Sequence, residues 1–312
     1  VKKEKIKLKK LFFIPFLLIL AIIVSACGNS ETTNGKDKGD TKSETITYKS
    51  EAGPVKVPKN PKRIVALSNG PNVMSLGGKL VGIDEWSSMN PLFKEKVKGV
   101  EVVSEDDLEK IMELKPDLII AGSEMKNIKK LNKIAPTVVF TWGKLDYLNQ
   151  QIEIGKLLNK EKEAKEWVND FQKRAAAAGE AIRKKIGKDA TVSVIESGNK
   201  EFYVFGNNYA RGTEVLYQAM KLNMPKKVKE KALESGIYTF SSELLPEFAG
   251  DYIILSKSTD GDNSFLKTSV WKNIPAVKNN RVFEINTKAS TYSDPITLEY
   301  LLGFFEKSFL EK

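Results

Sequence analysis

"EKEAKEWVNDFQKRAAAAGEAIRKKI", Glu161 to Ile186, sets Ala164, Trp167, Val168, Phe171, Ala175, Ala178, Ile182 and Ile186 one, three or four positions apart and contains no proline. Such spacing puts the apolar side chains on one stripe of a single amphipathic α-helix. At 1.5 Å per residue its 26 residues extend about 39 Å, roughly the width of a small domain. What flanks this helix decides the architecture.

Before it, from Arg63 to Phe140, short β-rich runs alternate with helical ones: "RIVAL", "LVGID", "DLII" after the helix "DDLEKIMEL", and "TVVF" after "MKNIKKLNKI". That alternation predicts parallel strands with crossover helices. Pro116 and Pro136 stand just ahead of two strands and stop the preceding helices. After it come "TVSVI" and "EFYVF", a hairpin across "SGNK", then "DYIIL" and "RVFEI", and a last helix from Pro295 to Phe309. The expected fold is α/β: two Rossmann-like lobes joined by one long rigid interlobe helix, with a cleft whose opening angle the helix holds nearly fixed. The boundaries read as 46–160 for the N-terminal lobe, 161–186 for the interlobe helix and 187–312 for the C-terminal lobe. Glu109 precedes Asp117 by eight residues and Glu243 precedes Asp251 by eight, each aspartate opening an Ile-rich strand. The lobes therefore read as variants of one unit.

Residues 1–26 read as a signal peptide: a basic start with six lysines, then "LFFIPFLLILAIIV" from Leu11 to Val24, then "SA". The apolar run of 14 residues is short of the roughly 20 that a bilayer span needs. Val24-Ser25-Ala26-Cys27 resembles the lipobox of bacterial lipoproteins, which implies acylation of Cys27, the sole cysteine. Two or three acyl chains suffice for stable anchoring, at about 0.8 kcal/mol per buried methylene. Residues 27–45 then read as a lipidated flexible tether, because "GNSETTNGKDKGDTKSE" offers nothing to bury. Half of the net charge of +10 belongs to the leader. The remaining lysines are scattered on helix faces, not gathered with aromatics into a stripe, so a nucleic-acid partner is not expected.

The chain has no histidine. An imidazole or thiolate cluster for a naked metal ion is excluded on that inventory, as is a Ser-His-Asp or Cys-His enzyme. No G-x-S-x-G elbow is present, and no enzymatic activity is expected. Five arginines stand against 45 lysines. Arg174 and Arg183 belong to the long helix and Arg63 and Arg281 immediately precede strands. Only Arg211, in "GNNYARGTEVLYQA", lies in a loop that can face a cleft; it either clamps a ligand there or pairs with nearby Glu214. Trp142, just past "TVVF", and Trp86, in "DEWSSMNP", stand in loops that follow strands, where open α/β sheets bind ligands.

Taken together, the lipobox, the tether, "PKNPKRIVAL", "LEKIMELKPDLIIAG", "IAPTVVF", the long helix, "GNNYARGTEVLYQA" and "SVWKNIPAVKNNRVFEI" resemble the substrate-binding lipoproteins of ABC importers for ferric siderophores, most closely the hydroxamate-siderophore binders of Gram-positive bacteria. The resemblance runs from Tyr48 to Lys312. It implies a monomeric receptor without catalytic activity, anchored by Cys27 at the extracellular face of the cell membrane, that takes a ferric chelate in a shallow cleft and hands it to an ABC permease dimer. It needs no cofactor; the iron arrives already chelated. Glu109 and Glu243 match the glutamates, one per lobe, that dock onto permease arginines, although the helix macrodipole alone also favours an acid early in a helix. Tyr209, Tyr203 and Tyr292 match aromatic wall positions of the second lobe, each also open to an ordinary half-buried role. A filled coordination sphere with an apolar exterior asks for aromatic walls and a few donors, and an arginine fork can donate to the chelating oxygens. One wall arginine suits a neutral or weakly charged chelate, hence a hydroxamate or hydroxamate-citrate ligand first. A catecholate chelate, haem or cobalamin on the same fold is the alternative, with Lys267 or Lys288 supplying further charge.

Overall fold

The computed structural model describes residues 44–198, 201–259 and 261–311. The expected signal peptide, the Cys27 lipidation site and all but the end of the expected tether lie outside them. The last two tether positions are structured instead. Thr45 opens β1 (Thr45–Ser50), which pairs antiparallel with β2 (Gly53–Pro58), while Glu44 forms a 3.1 Å ion pair with Lys59. The alternation in "TITYKS", with Tyr48 and Ser50 inward, draws this segment into a hairpin.

The first lobe is built on β3 (Ile64–Ala66), β4 (Leu80–Ile83), β5 (Glu101–Val102), β6 (Leu118–Gly122) and β7 (Thr137–Phe140), ordered β5-β4-β3-β6-β7 and all parallel. Every residue of β3, β6 and β7 is buried, as strands covered by helices on both faces require. The second lobe has β8 (Val192–Ser197), β9 (Phe202–Phe205), β10 (Ile237–Phe240), β11 (Tyr252–Lys257) and β12 (Val282–Asn286), ordered β10-β9-β8-β11-β12. The strand order repeats position for position. It differs in one respect: β9 runs antiparallel to both neighbours because a hairpin joins it to β8.

The paired aspartates occupy equivalent places. Asp117, before β6, accepts the backbone N–H of Lys62 and Arg63 ahead of β3, at 2.7 and 2.9 Å. Asp251, before β11, accepts the N–H and hydroxyl of Thr191 ahead of β8, both at 2.8 Å. Each carboxylate thus satisfies backbone donors that the ladder leaves open at the start of the central strand.

The helix Glu161–Ile186 serves both cores. Ala164 belongs to the first-lobe cluster with Ile154 and Leu157, whereas Phe171, Ala175, Ala178 and Ile182 belong to the second with Val194, Leu301 and Phe305. Polar contacts add to this: Arg174 forks onto Glu299 of the terminal helix (Pro295–Leu310) at 2.5 and 2.8 Å, and Trp167 donates to the same carboxylate at 2.8 Å. Among the described residues no helix is long and apolar enough to cross a membrane.

At Gly179 this helix packs backbone-close against the second lobe. A Cβ there would clash with the carbonyl oxygen of Met220, an atom that also accepts from Arg183. Alanine gains about 1 kcal/mol over glycine in helix propensity, but the clash with fixed backbone costs about 1–3 kcal/mol or more. Gly179→Ala is therefore expected to lower the urea midpoint; an unchanged or raised midpoint would show slack in this contact.

Candidate ligand-binding cleft

Loops after β3, β4, β6 and β7 form one wall of a cavity of about 760 Å³, and loops after β9 and β12 form the other. The first wall stands at the carboxyl ends of parallel strands, where α/β sheets bind ligands. Trp86, Trp142, Tyr209, Arg211 and Tyr292 all line it. Trp86 and Trp142 are 70% and 75% exposed, so large aromatic faces stand open to a ligand. Trp142 meets Tyr209 edge-on across the cleft, with centroids 5.6 Å apart. At another point Tyr292 lies 5.9 Å from Phe93 and its hydroxyl takes the Ser87 hydroxyl proton at 3.3 Å.

Tyr203 is not on this wall. It stands on β9 directly across from Glu196 of β8, half-buried against the second-lobe core and over Gly198.

Arg211 is held by an unusual backbone. Ala210, Arg211 and Gly212 have φ of 58°, 53° and 82°, three successive left-handed residues. Non-glycine residues rarely adopt this region, and such strain gathers at functional sites. The Arg211 N–H is fixed by the Ser290 carbonyl at 2.7 Å. Its side chain does not pair with Glu214. Instead Nε and Nη2 fork onto the two oxygens of Glu196 at 2.9 and 3.2 Å, with the guanidinium 5.1 Å from the Phe205 ring centre. Glu214 is turned inward: its carboxylate accepts from the Ala210 N–H and the Thr213 hydroxyl, and burial pushes its pKa up. The segment Glu214–Ala219 is a π-helix with Val215 and Leu216 buried.

Residues 71–289 match the family model described as periplasmic binding protein. The chain belongs to the periplasmic binding protein family. It is 40% identical over 308 residues to the iron(3+)-hydroxamate-binding protein FhuD of Bacillus subtilis (strain 168), covering 96% of this chain and 98% of that protein. The iron(3+)-hydroxamate-binding protein YxeB of the same organism is 38% identical over 301 residues, 93% of each. The structure of FhuD2 from Staphylococcus aureus with bound ferrioxamine B superposes with a TM-score of 0.76 at 33% identity, covering 80% of this chain and 99% of that one.

In this periplasmic binding protein the cleft also holds groups that motif reading missed. Asp84 caps the helix Glu85–Met89 through the Ser87 N–H at 2.9 Å, and burial raises its pKa against that hydrogen bond. Asp294 caps the terminal helix and is pushed up to about 6 by burial. Gln150 lines the cavity, and its Nε2, itself buried, has no hydrogen-bond partner among the described residues. "SDP" signals a helix start at Asp294, but nothing in the pattern marks Gln150 or Glu196, whose roles come from long-range contacts.

Proposed function

We propose that this chain is the receptor of an ABC importer: it binds a ferric siderophore of hydroxamate or hydroxamate-citrate type and delivers it to the permease, without catalysing a reaction. The observation that carries this reading is the cleft itself. Open aromatic faces of Trp86 and Trp142 line the cavity with Tyr209 and Tyr292, and a strained turn brings Arg211 to the same cavity. The relatives named for iron(3+)-hydroxamate binding cover nearly the whole chain, which supports the same ligand class. The iron comes as cargo inside its chelate. Aromatic walls meet the chelate's apolar exterior, while Arg211 donates to the oxygens that carry its charge.

Cys27 would anchor the receptor outside the membrane as a lipid-modified terminus, and residues 28–43 would give it reach. The protein would act as a monomer, since the cleft is complete within one chain. Glu109, exposed in the first turn of the helix Leu108–Glu113, and Glu243, exposed in the turn Ser242–Leu244, would register the two lobes on the permease dimer. The Glu243 carboxyl is held below the usual carboxylate range by its own backbone N–H and by Ser241, which keeps it anionic.

Titration with ferrichrome, ferrioxamine B and ferric schizokinen tests the ligand class. Trp86 and Trp142 are expected to report binding as saturable fluorescence quenching at submicromolar concentration. Absence of quenching by every member of a broad siderophore panel would sink the reading.

A further inference from the structure

Resting on that ligand class, we propose that Glu196 sets the charge selectivity of the cleft: by neutralising Arg211 it makes the cavity favour cationic over anionic ferric chelates. Among the described residues, Arg211 is the sole lysine or arginine lining the cavity, against Asp84, Glu124, Asp146, Glu214 and Asp294. The chain as a whole runs the other way, with 50 basic and 40 acidic residues. Basic residues are thus kept out of a cleft set in a basic protein.

The one cation present is already compensated. Both Glu196 oxygens meet the Arg211 guanidinium, and the two side chains are 14% and 18% exposed. At chelate distance such a pair acts as a dipole, whose field falls faster than that of a lone cation. Glu196 lies behind Arg211, outside the cavity lining, and is fixed independently of any ligand. The Ser256 hydroxyl on β11 donates to it at 2.6 Å, and Ser256 shares a 2.9 Å hydrogen bond with Thr287, just past β12. Three segments of the second sheet therefore hold the carboxylate in place.

At the opposite edge the exposed Glu124 adds negative potential. Its carboxylate folds back over Gly122 and has neither an ion-pair nor a hydrogen-bond partner among the described residues. Glu214 and Asp294 contribute less, since burial favours their neutral forms. Arg211 thereby keeps its geometric role, with Nη1 left to donate to a chelating oxygen, while the cleft gains no net attraction for anions. Glu196 is a positioning residue in this scheme, acting through Arg211.

A charge series on one tris-hydroxamate skeleton isolates the effect: ferrioxamine B with its terminal ammonium (+1), its N-acetyl form (0) and its N-succinyl form (−1). Fluorescence titration of the wild type is expected to rank them in that order, with about tenfold between the ends. Glu196→Gln unmasks Arg211 and is expected to shift the cation-to-anion ratio by about fivefold or more toward the anion. Glu196→Asp is expected to keep the wild-type order. Arg211→Gln leaves Glu196 uncompensated and is expected to shift the ratio the opposite way, which keeps the test decisive if Glu196→Gln fails to fold. A purely structural role for Glu196 would weaken all three ligands equally. Equal weakening by both variants, or shifts of the same sign, overturns the proposal while leaving the ligand class intact. Failure of the wild type to bind any of the three instead overturns the hydroxamate reading.

Discussion

Arg211→Ala is expected to weaken binding of a neutral ferric hydroxamate on the order of 100-fold, the loss of one or two charge-assisted hydrogen bonds at about 1.5–3 kcal/mol each. The backbone around it makes alanine a clean probe. Position 211 is left-handed in the structure, and alanine occupies that region no more easily than arginine, so the substitution removes the side chain without relaxing the turn. Glycine would relax it, and a larger loss in Arg211→Gly than in Arg211→Ala would measure what the rigid turn contributes. Arg211→Lys keeps the charge but not the fork. A single ammonium cannot engage both oxygens of Glu196 and also face the chelate, so it is expected to recover only a small part of the affinity. Because Glu196 loses its cation in the alanine and glycine variants and its fork in the lysine variant, melting temperatures are read alongside the titrations. A folded Arg211→Ala protein that binds within threefold of wild type would remove Arg211 from the site.

The architecture was open to sequence reading because its signals are local and repeated. The stripe from Ala164 to Ile186 gives a helix with the same ends as the observed Glu161–Ile186, and the Val- and Ile-rich runs ahead of it fall on β3, β4, β6 and β7. Even the doubled Glu-to-Asp spacing has a counterpart in the matched capping by Asp117 and Asp251. The local pattern does not announce strand register or tertiary pairing. The partner of Arg211 is Glu196, fifteen residues upstream on β8, rather than Glu214 in the next turn. Tyr203 is paired with Glu196 by the hairpin register and lies outside the cavity lining. The π-helix at Glu214–Ala219 follows three left-handed residues whose conformation only the folded context imposes on Ala210 and Arg211; of the three, Gly212 alone announces it.

The long helix gives the two lobes a common dependence. Its first turns complete one core and its later turns the other, so changing the lobe angle shears at least one packed interface. Capture then rests on loop and side-chain adjustment at the rim, where the largest exposed aromatics lie.

Asp294→Asn is expected to stabilise the protein above pH 6 and leave it nearly unchanged near pH 4. Asp294 is 2% exposed and caps the terminal helix, accepting from the Ile296 N–H at 2.8 Å and the Thr297 hydroxyl at 2.6 Å. These bonds favour the carboxylate, yet burial outweighs them and holds its pKa at about 6, against about 3.9 in the unfolded chain. Below both values the group is protonated in either state. Between them the unfolded chain releases its proton first, so stability falls as pH rises, and the loss is complete once pH passes the folded value. Two pH units of difference correspond to roughly 3 kcal/mol. Asparagine keeps the capping oxygen and cannot ionise, so the difference in unfolding free energy between Asp294→Asn and wild type is expected to climb from near zero at pH 4 to about 2–3 kcal/mol at pH 7. Subtracting the two proteins cancels the acid-side loss from Asp251, whose pKa is lowered by the Thr191 N–H and which therefore stabilises in the opposite sense. Glu214 still titrates in the variant, so its pH profile does not become flat. Asp294→Ala removes the cap as well and is expected to be about 1–2 kcal/mol less stable than the asparagine variant at every pH. Urea unfolding across pH 4–8 checks all three proteins. A difference curve without slope would mean that Asp294 is already ionised in the fold and that the terminal helix is capped by a carboxylate throughout.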